Sequence, residues 1–467
     1  MSFQNVTQLA LGNFLQIAFI DGVHKQIATT YPEWELVERM KVGSTDGREA
    51  KFLLQTALGT SAVQYRNPGV RSNFPGGAES QIKEGTIVYK ELDATIELEY
   101  NLYRRIIESK SKYDASALAM EVDSKTTAMK RQLCIDFYGD GSGAIATISS
   151  ATVVGGDAVI SCRSAANDVG FAGSAQFGEV LINVEQDGTP GTLPTVASGT
   201  VHHLRVVARD PRSAVNTITV QAEDAGNNVL TITAFAPAAG EVLYKGTVNP
   251  NDGQPTKPDL TNTSLDLATQ SEAIIGLRGL IRNDGRTVHG IAQRGAVAGT
   301  VFDNGGAAID LNAIEQSLNQ VKNAVGEGKY KWDSLLCNRE VRSAFIDARE
   351  TDRRFMSIED HKRGLNKFVY VHQDDSVTLQ GSEFCDHKNA YLLPVGKTDG
   401  QKVLQFRGTD IKPAKAENGD VFMFAPGTGG YHQRLMVSYM SGMGQLLSLH
   451  PAATVRITNF SLGTPEN

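Results

Sequence analysis

Between Ile87 and Gly143 the hydrophobic period changes once, from two to about 3.6, and few folds tolerate that change over such lengths. From 87 to 100, Leu92, Ala94, Ile96, Leu98 and Tyr100 share one face of an extended chain, while Asp93, Thr95, Glu97 and Glu99 share the other. Further on, Leu118, Val122, Thr126, Met129, Leu133 and Phe137 recur at steps of four, four, three, four and four, which is one stripe of a helix. Glu121, Lys125, Lys130 and Arg131 fall outside it. Asp114 is placed to accept from the free N–H groups of the first turn, and Gly139 to supply a left-handed stop. At ~1.5 Å per residue the rod is roughly 36 Å long. A long extended arm therefore runs into a long helix.

Residues 46–100 read as a hairpin. Phe52, Leu54 and Thr56 alternate on the way out and 86–100 alternate on the way back, with Asn67-Pro68-Gly69 and Phe74-Pro75-Gly76-Gly77 as turn chemistry between them. An isolated two-stranded ribbon is marginal in water, and no adjacent helical pattern is available to cover its apolar face. That predicts cover from a neighbouring subunit, the alternative being an edge hairpin of a larger sheet. Residues 1–45 mix short apolar clusters with Tyr31-Pro32 and Trp34; Pro32 argues against one long helix, and a short helix near 9–28 is expected. It serves either as an arm on another subunit or as part of its own core.

In this order, an N-terminal arm, a long two-stranded loop and the helical run from Tyr113 to Gly141 resemble the major capsid proteins of tailed bacteriophages, the Hong Kong 97-type shell fold. The similarity continues in the C-terminal part. The resemblance implies an α+β fold with an arm at 1–45, an extended loop at 46–100, a spine-helix region of the P domain at 101–143, and the rest of the P domain with the A domain at 261–467. It implies subunit contacts at the loop tip and ribbon through Asn67, Pro68, Phe74, Pro75, Ile96 and Leu98, and spine packing through Leu118, Val122, Met129, Leu133 and Phe137. The partners it implies are copies of the chain itself in hexamers and pentamers, a portal, and a decoration protein; the shell encloses double-stranded DNA without specific binding. Because the chain starts at Met1, a separate scaffolding protein is expected in place of a cleaved segment. Assembly in the host cytoplasm and residence in the virion follow. Some relatives join subunits by lysine–asparagine isopeptides; Lys83 and Lys90 lie in the hairpin, but no local motif carries that chemistry over.

Residues 144–260 change character, with six Lys or Arg against eleven Asp or Glu and no helical period. Short runs at 159–162, 201–208, 216–222 and 229–235 are bounded by Gly, Asn and Asp, which predicts an inserted all-β domain ending at the linker Asn249 to Pro255. From Ser264 helices and strands mix. Ser264 is expected to cap a helix carrying Leu267, Ile274, Leu277 and Ile281, and Asp310 another carrying Leu311, Ile314, Leu318, Val321 and Val325. Asn338 opens a third with Val341 and Phe345; strands are expected at 335–337, 367–372, 390–394, 403–406, 421–424, 434–440 and 454–458.

Motifs for catalysis are thin. Gly396-Lys397-Thr398 ends like a phosphate-binding loop, but Tyr391 stands where the loop needs glycine, and Asp399-Gly400 reads as a hairpin turn. Cys385-Asp386-His387 and His202-His203 bring no third and fourth ligand at recognisable spacing, and Gln373 to Ser376 reads as a polar turn. No cofactor, metal or catalytic constellation is therefore assigned. Four dispersed cysteines read as reduced, buried thiols. Net charge is −7 without a basic tail, so no nucleic-acid footprint is present, and a wall of like charge does not hold DNA to itself. No window is apolar enough for a membrane span. Arg339, Arg342, Arg353 and Arg354, interleaved with acids, suit inter-subunit ion pairs or a solvated face. Two other classes fit parts of the chain: an encapsulin-like compartment enclosing protein cargo, and a β-rich adhesin, which accounts for 144–260 but not for the hairpin-then-helix order.

Overall fold

The structure, a computed structural model, describes residues 33, 36–41, 49–57, 81–99, 112–163, 170–246, 266–267, 271–326, 330–347, 368–372, 375–398, 400–408, 412–413, 423–424 and 435–462. The chain is mixed α+β, mostly strands with few helices. It divides into two compact units: 1–46 with 89–135 and 405–446, and 47–88 with 136–404 and 447–467. The helix expected near 9–28 lies outside the described residues.

The first unit is built on a sheet whose long strand is Leu435–Ser448. Lys90–Glu99 runs antiparallel to it, from Lys90 opposite Gly444 to Glu99 opposite Leu435. The expected return arm of the hairpin is thereby corrected: only Gln81–Val88 pairs with the outgoing strand, and the alternation beyond Tyr89 belongs to a different partner. Period two fixes which residues share a face but not which strand lies alongside. Glu38–Lys41 adds in parallel to Leu404–Gly408, which sits beside the long strand. Gly408 permits the approach, since a Cβ there would come within 2.6 Å of the Met443 carbonyl oxygen.

The long helix spans Lys112–Tyr138, so its 27 residues extend about 40 Å. Asp114 falls inside the first turn and is not the residue that precedes it. Thr126, Met129, Leu133 and Phe137 are buried, as the stripe requires, but so are Lys130, Cys134, Ile135, Asp136 and Tyr138. The last turns are enclosed on more than one side, which a single stripe does not reveal. The stop also differs. Gly141 (φ 90°) and Gly143 (φ 77°), not Gly139, adopt left-handed backbone, and Asp140 Oδ1 fixes the turn by accepting from Ser142 N (3.0 Å) and Oγ (2.6 Å).

In the second unit six strands pair antiparallel all the way round: Thr217–Glu223, Asp157–Cys162, Ala144–Val154, Val242–Lys245, Val180–Val184, His203–Asp210 and back to Thr217–Glu223. Such a ring is a closed barrel, and closure removes the unpaired edges that invite aggregation. Ile148, Ile160, Leu181, Leu204, Ile218, Val220 and Leu243 fill it. At one end the Glu241 carboxylate, itself buried, accepts from Ala238 N (2.9 Å), Thr192 N (3.1 Å) and Thr192 Oγ1 (2.8 Å) and also from Asn183 Nδ2, locking the loop between. The opposite end, near Asp210, meets the rest of the unit through His387: its Nε2 lies 2.5 Å from the Pro211 carbonyl and its ring meets Phe171 edge-on at 5.2 Å. Ser213 N donates to Glu340 Oε2 at 3.1 Å beside it.

A mixed sheet completes the unit, in the order Thr300–Asp303, Val455–Thr458, Asn389–Leu393, Ser334–Asn338, Asp375–Ser382, Phe368–His372. Leu335, Cys337, Val377, Leu379, Ala390, Leu392, Val455 and Ile457 form one apolar core with the helices Leu311–Val325 and Arg339–Asp347. Trp332 is wholly buried there, its Nε1–H donating to Ala453 O at 2.8 Å. Both caps are as the residues imply: Asp310 Oδ1 accepts from Ala313 N at 2.9 Å, and Asn338 Oδ1 from Glu340 N at 2.9 Å. The helix expected from Ser264 is not continuous. Only Leu277–Leu280 forms a helical turn beyond Ser271, because Gly276 takes an extended conformation and lets the segment close on the carbonyls that end the long helix. Its stripe of Ile274, Leu277 and Ile281 is buried all the same.

Candidate assembly surface

Glu49–Ala57 and Gln81–Val88 form an antiparallel ribbon with Ala50 opposite Ile87, Phe52 opposite Gly85, Leu53 opposite Glu84 and Gln55 opposite Ile82. Alternation gives it two unlike faces. Ala50, Phe52, Gly85 and Ile87 share the face that meets their own chain, at a tight hairpin joining Thr287–Val288 to Ile291–Ala292. His289 (φ 54°) and Gly290 (φ 80°) form its two-residue turn, both left-handed as a type I′ turn demands. Thr86 N donates to His289 O at 2.9 Å, and the Phe52 and His289 rings meet edge-on at 6.4 Å. Glycine at 85 is needed, since a Cβ would run into the Phe52 ring.

The other face carries Leu53 and Ile82, diagonal neighbours across the two strands and 71% and 63% exposed. An ion pair of Lys51 with Glu84 lies beside them, and both of its members are exposed. The ribbon's inward face, where Phe52 alternates, is thus covered by the chain itself; the bare apolar surface is on the face that reads as polar. Two isolated apolar residues among Lys51, Glu84 and Gln55 carry no periodic signal, and only their mutual register across the ribbon brings them together.

Of the residues expected to meet neighbours, Asn67, Pro68, Phe74 and Pro75 lie outside the described residues. Ile96 and Leu98 stand opposite Ser438 and Met436 in the first unit's sheet, not on the ribbon. On the long helix Met129, Leu133 and Phe137 are buried, while the side chains of Leu118 and Val122 lie outside the described residues. Arg339 is exposed at the start of its helix, 3.9 Å from Glu383, and Arg342 sits one turn further on; Arg353 and Arg354 lie outside the described residues.

The motifs set aside on sequence grounds have structural partners. Lys397 pairs with Lys402 and Thr398 with Gln401, and Gly400 just before Gln401 has φ 83°. His203 Nε2 lies 2.7 Å from Glu223 Oε2, Arg205 Nε donates to Glu223 Oε1 at 2.7 Å, and the His202 and His203 Nδ1 atoms are 3.2 Å apart. Cys385 Sγ donates to Asn389 O at 3.3 Å, and Asp386 accepts from Lys388 N and Asn389 Nδ2. Among the described residues no three His, Cys, Asp or Glu gather as metal ligands. All four cysteines are free and buried, and burial pushes the Cys162 and Cys337 thiols up to about 12. No described helix is long and apolar enough to cross a membrane.

No protein-family model matches the chain, and no curated protein matches it. Solved structures similar to it are mainly phage capsid proteins. The capsid of cyanophage A-1(L) is 10% identical over 93% of this chain and 94% of its own, with a TM-score of 0.48. The capsid of Myoviridae phage XM1 is 9% identical over 91% and 89%, at 0.38. The SrpI encapsulin of Synechococcus elongatus PCC 7942 is 9% identical over 94% and 91%, at 0.37.

Proposed function

We propose that this chain is the major capsid protein of a tailed phage, a structural subunit that closes with copies of itself into the head shell around double-stranded DNA. The observation that carries the proposal is the pair Leu53 and Ile82, held bare on a ribbon whose other face is already packed. Apolar side chains on a paired, twisted ribbon gain nothing for their own chain, and they gain by docking on another. The order of elements supports the reading: the ribbon, the strand at 90–99 and the 27-residue helix follow one another as in the resembled shell fold.

In this reading 1–45 is the arm and 46–88 the extended loop, with 90–99 counted in the first unit's sheet. Residues 101–143 are the spine region of the P domain, 144–260 an inserted β domain whose barrel is closed, and 261–467 the rest of the P domain with the A domain. A closed barrel has no edge to offer a neighbour, so contacts made by the insertion use side chains and not strand pairing. Each subunit is held by several weak contacts at once, and the shell lasts through multivalency. Its net charge of −7 keeps the wall from gripping its contents. A separate scaffolding protein, a portal and a decoration protein are the partners such a shell uses, in the host cytoplasm and then in the virion.

The test is assembly. Purified protein, concentrated with and without scaffold, is examined by analytical ultracentrifugation and negative-stain microscopy for closed particles. Particles recovered from infected cells are digested with nuclease-protection controls to show DNA within; protein cargo in its place would mark a cellular compartment. A chain that stays a single soluble molecule at high concentration overturns the proposal.

A further inference from the structure

The mixed sheet of the second unit buries both faces, and only one of them is apolar. Tyr391 stands opposite Arg456 and Asn389 opposite Thr458, so these four side chains share the face turned away from the helix-covered core. Each carries a polar atom sealed from solvent with no hydrogen-bond partner: Tyr391 Oη, Arg456 Nε, Asn389 Oδ1 and Thr458 Oγ1. Four orphaned atoms on one patch is far from the usual state of a folded interior, where nearly all buried polar groups are paired.

The patch also has unbalanced charge. Tyr138, at the end of the long helix, lies over Tyr391 at 6.0 Å, and Arg278 from the following helical turn is buried close by, 3.8 Å from Asp386. Asp386 offsets Arg278, and Asp284 offsets Arg282 through two hydrogen bonds of 3.0 and 2.5 Å. Among the described residues no carboxylate lies within ion-pair distance of Arg456, and Asp386 attracts it only from further off. Burial lowers its pKa, and the like charge of Arg278 adds to that; burial likewise raises the Tyr391 phenol, so its O–H stays a donor. Arg456 is half-buried with its Nε sealed, and water that satisfies a hydroxyl or an amide does not neutralise a guanidinium drawn partly out of solvent.

We propose that Arg456, Arg278 and Tyr391 form a partly buried site for a small inorganic oxyanion of the phosphate or sulfate type, with Thr458 as a further donor. The guanidinium fork and the phenol O–H match the tetrahedral acceptor oxygens of such an ion. Tyr391 is 0% exposed and Arg456 half-buried, so the ion would sit between a sealed phenol and a guanidinium that still reaches solvent. It would tie the end of the long helix to the central strands of the sheet, independently of whether the protein assembles.

The experiment uses the full chain. Protein refolded in phosphate, and separately in sulfate, is desalted into chloride, denatured in acid, and the released ion is measured by ion chromatography. Retention of phosphate or sulfate equimolar with the chain is expected. So is a saturable rise of the melting temperature with phosphate that sodium chloride at matched ionic strength does not reproduce. R456Q should lose both effects, and R282Q, whose guanidinium is already held by Asp284, should keep both. If R456Q fails to fold, the wild-type release assay decides alone. Wild type that releases neither ion, or R456Q that retains it, overturns the site.

Discussion

Leu53→Glu isolates what the ribbon does for the assembly from what it does for the chain. Leu53 is 71% exposed and Ile82 63% exposed. The substitution therefore costs the lone chain no more than ~0.5 kcal/mol, the usual range for surface changes. In an assembly the same surface is covered. Fully burying a leucine or isoleucine is worth about 1.5–3 kcal/mol, and the exposed fractions leave about 1–2 kcal/mol for each side chain. Together they supply about 2–4 kcal/mol per ribbon, a factor of roughly 30 to 900 in the affinity of one contact. Glutamate removes the leucine part and adds the cost of desolvating a carboxylate against an apolar partner. The loss recurs at each ribbon of a closed array, so the critical concentration for assembly should rise by far more than the single-contact factor. Sedimentation across a concentration series measures it, and urea unfolding followed by circular dichroism measures the chain. Assembly of L53E at the wild-type critical concentration would refute the reasoning. A loss of assembly matched by an equal loss of chain stability would refute it too, by placing Leu53 in a core.

Local chemistry was readable where one residue decides one geometry. Asp310 caps its helix, Asn338 caps the next, and Gly400 turns left-handed in a short hairpin, each through atoms within a few residues of one another. The long helix was readable because its stripe repeats over many turns, although the burial of Lys130 and Asp136 was not, since it depends on what encloses the last turns. Pairing partners were the least readable. The unbroken alternation from 86 to 100 serves two sheets, with the change of partner at Tyr89 unmarked by any turn residue. The runs at 159–162, 201–208 and 216–222 mark three of the barrel's strands, but its closure rests on Val180–Val184 and Val242–Lys245, each too short to stand out in sequence. The candidate surface shows the same limit. Leu53 and Ile82 are twenty-nine positions apart, and register alone makes them neighbours.

Three further outcomes follow from single side chains. Asp310→Ala should destabilise the second unit by about 1 kcal/mol, the usual worth of an N-cap, and leave assembly of the folded chain intact; a urea midpoint shift reads it. Native protein should leave Cys162 and Cys337 unmodified by thiol reagents at neutral pH, because burial holds both thiols near 12 and away from the reagent, and mass spectrometry should find them labelled only after unfolding. The last concerns acid. Glu223 is buried, and its hydrogen bond from Arg205 holds its carboxyl below the usual value of 4.5 against the opposing effect of burial, with His203 helping. A carboxyl whose folded pKa is depressed stabilises the fold above its unfolded pKa, and that stability is lost as pH falls through the folded pKa. The barrel should therefore weaken from about pH 4.5 downward, and E223Q, with no proton to take up, should show a shallower acid slope while being less stable at neutral pH. Stability curves of wild type and E223Q that stay parallel across that window would show that the His203, Glu223 and Arg205 cluster contributes nothing to the acid sensitivity of the barrel.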